Sequence, residues 1–264
     1  MVNQLKSVVI NVLKIIFYRN RFDSKGNAFK PKGLDKIVSE INQYIIEKSY
    51  TPPWIWNADA CRRIWGSEVN QDENPNRPSH YHNKPKALIR FLDEFWKPYV
   101  NTDLHIMELG CNCGTNLEVL RTSGYTNLYG MEINSDAVEL MSNVYPKLYS
   151  ESSIVVGSFE ESLPSISDKS IDVVFSMAVL MHVHPSSSKV FSEMVRIASR
   201  YVVVVEQEYG NCEYVFARNY KRVFAKLGCK ELDKIMLGID KTPEYAYEYH
   251  GMTARIFDTT LAHG

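Results

Sequence analysis

The chain has 264 residues, 45% of them hydrophobic and 23% charged, with a net charge of −1. This is ordinary globular composition, with no disordered or low-complexity bias and no overall positive field to favour nucleic acid. Its length suits one catalytic domain with an appendage.

The five cysteines, Cys61, Cys111, Cys113, Cys212 and Cys229, form an odd and scattered set. They give no sign of a disulfide framework, so a reducing, cytoplasmic compartment is expected. Cys111-x-Cys113 lacks the spacing and the partner pair of a structural zinc site, and no metal is expected.

Leu5 to Phe17 is an apolar stretch flanked or interrupted by Lys6, Lys14, Arg19 and Arg21. It is too short to span a bilayer and carries no signal-peptide cleavage pattern. It reads as a helix packed on a neighbour or on a second subunit, with a helix lying in a membrane interface as the alternative. Arg21 to Gly33 reads as a linker or turn. Leu34, Ile37, Val38, Ile41, Tyr44 and Ile45 recur at helical spacing up to Glu47.

From Ser49 to Pro85 the periodicity breaks, with five prolines and the indoles Trp54, Trp56 and Trp65. A segment this long is expected to be functional, as a lid or cover. Its Glu73–His82 part is dense in hydrogen-bonding groups. Pro85 to Lys97 returns to a helix, with Leu88, Phe91, Leu92, Phe95 and Trp96 on one face.

Ile106-Met107-Glu108-Leu109-Gly110-Cys111-Asn112-Cys113-Gly114-Thr115-Asn116 then reads as a buried strand, a glycine turn and the start of a helix. A dinucleotide fingerprint counted from Gly110 needs glycine at positions 112 and 115, where Asn and Thr stand. A phosphate loop needs a Lys-Ser/Thr pair, and none follows Gly114.

Asn127 to Ile133 reads as a second strand with Glu132 at its carboxyl end, and Asn134-Ser135-Asp136 as the cap of a helix over 137–144. Ser153 to Gly157 is the third strand, followed by Ser158-Phe159-Glu160. Ser170 to Ser176 is the fourth, followed by Met177-Ala178-Val179-Leu180-Met181-His182-Val183-His184-Pro185. A helix is expected over 186–198, then the apolar strand Tyr201–Glu206, whose continuous run fits burial on both faces. A helix over 214–227 follows, and the last strands are expected at 229–237 and 252–257.

In that order, the acidic-x-Gly-x-Asn-x-Gly turn, the carboxylate ending strand two, the polar residue after strand three and the Val-Leu-x-His segment after strand four resemble the class I S-adenosylmethionine (SAM) dependent methyltransferases. The resemblance covers roughly 103–227. Asn112 stands where the family usually has its central glycine, and asparagine tolerates left-handed dihedrals. A weaker resemblance is to small-molecule and sugar-pathway methylases, including those beside bacterial surface-glycan genes.

The resemblance implies a Rossmann-like α/β fold with a mostly parallel sheet, an antiparallel last strand and helices on both faces. Residues 1–100 would form a helical extension covering cofactor and substrate, and 101–264 the SAM-binding domain. It implies cofactor contacts from Glu108, Gly110, Asn112, Gly114 and Asn116, from Glu132 and Ile133, from Ser158, Phe159 and Glu160, and from Met177 and Tyr81. Glu132 suits the ribose, since a carboxylate accepts from both hydroxyls. The family's usual carboxylate for the adenine amino group is replaced by Ser158, and Ser158, Phe159 and Glu160 remain alternatives for that contact. His82 is a further candidate for the cover.

His182 is the first candidate for a base, with His184 and Glu206 behind it. The function expected is methylation, on oxygen, of a small-molecule or carbohydrate acceptor. The alternative is a non-catalytic SAM-binding scaffold whose first helix binds a partner, a membrane or another copy of the chain. The missing glycines disfavour an NAD dehydrogenase, and the absence of a basic run disfavours a nucleic-acid substrate. A radical SAM enzyme would need a third clustered cysteine.

Overall fold

A computed structural model describes residues 2–17, 31–66, 77–82, 87–238 and 251–263. Most of the expected linker (21–30), the Glu73–Asn76 part of the polar segment and Pro85 lie outside the described residues.

Among the described residues five helices come first: α1 (Val2–Phe17), α2 (Gly33–Glu47), α3 (Ala58–Trp65), α4 (Pro78–His82) and α5 (Ala87–Trp96). Then follow β1 (His105–Leu109), α6 (Thr115–Thr122), β2 (Asn127–Glu132), α7 (Ser135–Val144), α8 (Pro146–Glu151), β3 (Ser153–Val156), α9 (Phe159–Ser162), β4 (Ile171–Met177), α10 (Lys189–Ile197), β5 (Ala198–Gln207), α11 (Tyr220–Lys226), β6 (Lys230–Met236) and β7 (Met252–Asp258).

The seven strands form one sheet in the order β3-β2-β1-β4-β5-β7-β6. β1 to β5 are parallel, and β7 runs antiparallel between β5 and β6. This is the Rossmann-like arrangement expected, with an antiparallel last strand. The strand order reverses beside β1, so the connections leaving β1 and β4 run to opposite faces of the sheet, with α6 on one and α10 on the other, and leave a crevice between them.

Both faces of the sheet are covered, which explains the uninterrupted apolar run Val202–Val205, wholly inaccessible to solvent. Strand alternation sends Ile106, Phe175, Val203 and Val205 to one core with Leu92 and Trp96 of α5 and Leu117 and Leu120 of α6. It sends Leu109, Val174, Val202 and Val204 to the other, with Phe191 and Met194 of α10 and Phe224 of α11. A third, smaller core joins the helical region to the 212–218 segment through Phe17, Ile46, Ile55, Cys61 and Phe216.

Several boundaries differ from expectation. The helix expected over 214–227 begins only at Tyr220, where the Asn219 side chain accepts from Arg222 N–H and caps it. Residues before it spend their N–H groups elsewhere: Phe216 donates to Met181 O at 2.7 Å and Ala217 to Asn211 Oδ1 at 2.8 Å. The helix expected over 186–198 is a short 3₁₀ turn (Pro185–Ser187) and then α10, with Ala198 already opening β5. The irregular stretch after Ser49 contains α3, whose first turn is capped by Asn57, its Oδ1 accepting from Ala60 N–H at 2.8 Å.

Candidate functional site

The turn after β1 takes three left-handed residues, Gly110 (φ +76°), Asn112 (φ +48°) and Gly114 (φ +75°). Asn112 therefore adopts the conformation that its side chain tolerates and most others resist. Gly110 is required for a second reason. A Cβ there would lie 2.6 Å from the Val179 side chain, so only glycine lets the segment after β4 pass this close.

Glu132, at the end of β2, ties the turn down. Its Oε2 accepts from Asn112 N–H at 2.8 Å and its Oε1 from Asn134 N–H at 2.9 Å. A carboxylate offers about four acceptor positions, so roughly two remain for a ligand diol. Burial pushes this carboxyl above the usual range while the backbone donors pull it down.

A cleft lies over the carboxyl ends of the strands. Gly110, Asn112, Glu132, Ile133, Met177 and Asn134 form its floor. Gly157, Ser158, Phe159 and Glu160 close one end, and Tyr81 of α4 reaches over it. His182, Val183 and His184 stand along the far side with Ala58, Cys61, Arg62 and Trp65 of α3.

Glu108, Gly114 and Asn116 lie behind the turn and do not line the cleft. Glu108 is buried, accepts from Asn116 Nδ2 at 2.6 Å through Oε1, and leaves Oε2 without a partner. Burial lifts it to about 8, against the Asn116 hydrogen bond and with the Glu132 charge adding to the rise. Gly114 makes room for Met141 and Leu148, each 2.9 Å from where its Cβ would sit. His82 turns away to Tyr145, its Nδ1 3.1 Å from the phenol oxygen.

Glu206 does not reach the cleft either, which corrects its standing as a catalytic candidate. It is fully buried, and its Oε1 accepts from Ser176 Oγ (2.9 Å) and from the N–H groups of Val179 and Leu180 (3.0 Å each), its Oε2 from Met181 N–H (3.2 Å). On the other side of the same turn, buried Arg218 donates to Leu180 O (3.1 Å) and Val183 O (2.6 Å). One carboxylate holds the amides and one guanidinium the carbonyls, and the turn so clamped presents His182.

The two histidines are set in opposite tautomers. His182 Nδ1 lies 3.0 Å from Tyr214 O, which only accepts, so Nδ1 carries the hydrogen and Nε2 the lone pair. His184 Nδ1 accepts from Ser186 N–H at 3.2 Å, so its hydrogen is on Nε2. The His182 ring packs on Trp65, centroids 4.2 Å apart. Burial lowers His182 to about 4, against the Tyr214 hydrogen bond, so it is neutral in the physiological range.

Glu160, 3.5 Å from Arg62, forms an ion pair at the end of the cleft. Glu208, beside Glu206 in sequence, is held by Arg255 through two 2.8 Å contacts. Among the described residues no group of three His, Cys, Asp or Glu side chains is placed to hold a metal.

Residues 107–203 match a family described as a methyltransferase domain. That segment is similar to a methyltransferase domain, in line with the resemblance carried by the motifs.

Solved structures share the fold at low identity. A SAM-dependent methyltransferase from Archaeoglobus fulgidus aligns with a TM-score of 0.51 at 15% identity, covering 68% of this chain and 97% of that one. Magnesium protoporphyrin IX methyltransferase (ChlM) from Synechocystis PCC 6803, solved with bound SAM, aligns at 0.50 and 16%, covering 83% and 96%. The [4+2]-cyclase SpnF aligns at 0.53 and 12%, covering 66% and 80%. A comparison with curated proteins returns no match.

The cleft residues that sequence reasoning missed are chiefly those of α3. Ala58, Cys61, Arg62 and Trp65 follow an i, i+3, i+4, i+7 pattern and so share one helical face. That spacing was present in the sequence, together with Asn57 as a cap, but prolines on either side obscured it.

Proposed function

We propose that this methyltransferase transfers the methyl group to a hydroxyl of a small-molecule or carbohydrate acceptor, with His182 as the base. The observation carrying this reading is that the Gly110–Gly114 turn, Glu132 and a neutral His182 with a free Nε2 lone pair share one cleft. In this reading residues 1–100 supply the covering wall and 101–264 the SAM-binding domain. The free, buried cysteines fit the expected cytoplasmic setting.

The cleft fits SAM on its own donors and acceptors. Glu132 keeps acceptor positions for the ribose hydroxyls, and Gly110 and Asn112 bring bare backbone to the cleft floor. Ser158, Phe159 and Glu160 stand at the end where the purine would lie, and Glu160 is already engaged by Arg62, which favours Ser158 and Phe159 for the adenine contact. Ile133 and Met177 supply apolar surface and Tyr81 the cover.

SAM, when bound, supplies a methyl already activated on a sulfonium. The protein's part is to hold the acceptor in line, keep water out and take up one proton. Alignment of this kind contributes on the order of 7–11 kcal/mol of barrier reduction. His182 Nε2 accepts the hydroxyl hydrogen as the oxygen loses electron density to the new bond. A neutral imidazole can do this for a hydroxyl, whereas an ammonium would have to lose its proton beforehand. His184 keeps its hydrogen on a buried Nε2 and is not the base. The Trp65 indole offers a flat apolar face of the kind on which the C–H side of a sugar ring rests.

Calorimetry with SAM and S-adenosylhomocysteine, followed by mass spectrometry of a panel of hydroxylated and aminated acceptors, tests the reading. Micromolar binding and an O-methylated product are expected. His182→Gln should lower kcat by ~10²–10⁴-fold while leaving SAM affinity unchanged. Wild-type kcat should stay flat between pH 6 and 8, since His182 titrates at about 4. An N-methylated product, or a fall in kcat centred on the ordinary histidine value of 6.5, overturns the assignment of His182. Tight SAM binding without turnover of any acceptor returns the non-catalytic scaffold.

A further inference from the structure

The largest unexplained feature outside the cleft is the solvent-facing side of α1 and α2. Among the described residues, thirteen large hydrophobic side chains are exposed, and nine of them lie on these two helices. Val8, Val12 and Ile15 on α1 are 51–72% exposed, and Leu34, Ile37 and Ile41 on α2 are 53–63% exposed. Scattered apolar residues on a surface need no explanation, but such a concentration marks a contact face.

α1 is turned the opposite way from an ordinary surface helix. Lys14 faces the protein and pairs with Glu213 at 2.7 Å, while the valines and Ile15 face water. α2 shows why the pair stays so oriented. Its buried side carries Asn42 and Gln43, whose amides donate at 2.7 Å to Phe17 O and Glu208 O. Amides anchor the pair inward beside the buried Phe17 and Ile46, and nine large apolar side chains face outward among polar ones such as Asn11, Lys36 and Glu40. This is the mixture expected of an element lying at a boundary between water and an apolar phase.

Charge identifies those surroundings. Residues 1–47, which span both helices, hold eight Lys and Arg (Lys6, Lys14, Arg19, Arg21, Lys25, Lys30, Lys32, Lys36) against Asp23, Asp35, Glu40 and Glu47, a balance of +4, with Lys14 already paired to Glu213. The whole chain is −1, so the remaining residues carry −5. A second copy of this basic region would bring like charges together, whereas an anionic lipid surface complements both the charge and the apolar face. α1 has 16 residues, about 24 Å of helix, and no described helix is long and apolar enough to cross a membrane, so the helix lies along the surface.

We propose that α1 and α2 form a docking face for an anionic lipid bilayer, holding the methyltransferase at a membrane surface with its cleft-bearing sheet outside the lipid. The proposal does not depend on the identity of the acceptor or on turnover.

The test is flotation of the full chain with vesicles of phosphatidylcholine alone or with about one-third phosphatidylglycerol, at low and at ~0.5 M salt. The expected result is recovery with the anionic vesicles only, falling several-fold at high salt. The triple variant Val8→Gln, Val12→Gln, Ile15→Gln should lose at least ~10-fold in partitioning, because each removed apolar contact weakens interfacial binding. Its SAM affinity and melting temperature should be unchanged, since these side chains are exposed, and this shows that it is folded. Equal recovery with and without anionic lipid overturns the proposal. So does a dimer by light scattering that the triple variant converts to monomer without any vesicle binding, which would assign the face to a second copy.

Discussion

The floor and the far wall of the cleft are built on different principles. The floor is made of main chain: three left-handed residues within five positions, and the amides of Asn112 and Asn134 tied to the Glu132 carboxylate at the end of the adjacent strand. The wall is made of side chains held from far away. Trp65 of α3 packs on His182, Glu206 and Arg218 clamp the turn that carries His182, and Tyr214 sets its tautomer. In the proposed reading the floor holds the cofactor. The wall can change without disturbing the sheet, so acceptor choice and chemistry belong there. The shared fold of SpnF, described as a [4+2]-cyclase, shows how far chemistry can diverge on one sheet.

The largest effect should come from breaking the wall at its root. Glu206→Ala strips a buried carboxylate from three amides and the Ser176 hydroxyl and removes one of the two carboxylate charges, with that of Glu47, that favour the buried Arg218. We expect about 3–5 kcal/mol of lost stability in denaturant titration. A loss below about 1 kcal/mol would mean that the turn holds itself.

The floor should fail differently. Glu132→Gln keeps the shape but loses the charge-assisted acceptors. SAM affinity should fall ~10²-fold by calorimetry, with the acceptor KM little changed at saturating SAM. An equal loss in acceptor KM would erase the distinction between floor and wall.

Trp65→Ala is the reciprocal test. It should raise the acceptor KM about tenfold and leave SAM affinity within about twofold, because the lost contact is an aromatic face worth ~1 kcal/mol or slightly more.

The smallest effect separates the floor from what lies beneath it. Glu108 is lifted from the ordinary 4.5 to about 8 by burial, so the folded protein holds a proton that the unfolded chain releases. Its contribution is complete below the unfolded value and is lost as pH rises through about 8. Glu108→Gln, neutral at every pH, should flatten the decline in melting temperature between pH 5 and 8 and change little at pH 5. An unchanged pH slope would show that Glu108 is ionised in the fold.

Much of the fold was legible because it rests on local rules. β1 to β5 announced themselves as short apolar runs, and each was followed by a polar or glycine-bearing turn, as a parallel sheet covered on both faces requires. The last two strands were read within a residue or two. Asn112 could be read as left-handed because its side chain permits that conformation, and the structure gives it φ +48°. Glu132 could be placed at a strand end because the period of a strand is fixed.

The sequence by itself thus determined the sheet, the glycine turn and the approximate floor of the cleft, since these depend on spacing within a few residues. Only the tertiary structure decided that Glu206 is a clamp and not a base, that Glu108 and Asn116 lie behind the turn, and that α3 forms the facing wall. Each of those facts depends on contacts between segments dozens of residues apart, such as Trp65 with His182 and Glu206 with Leu180. A carboxylate looks the same in sequence whether backbone amides or a ligand will occupy its lone pairs. Only the folded arrangement of those donors settles which.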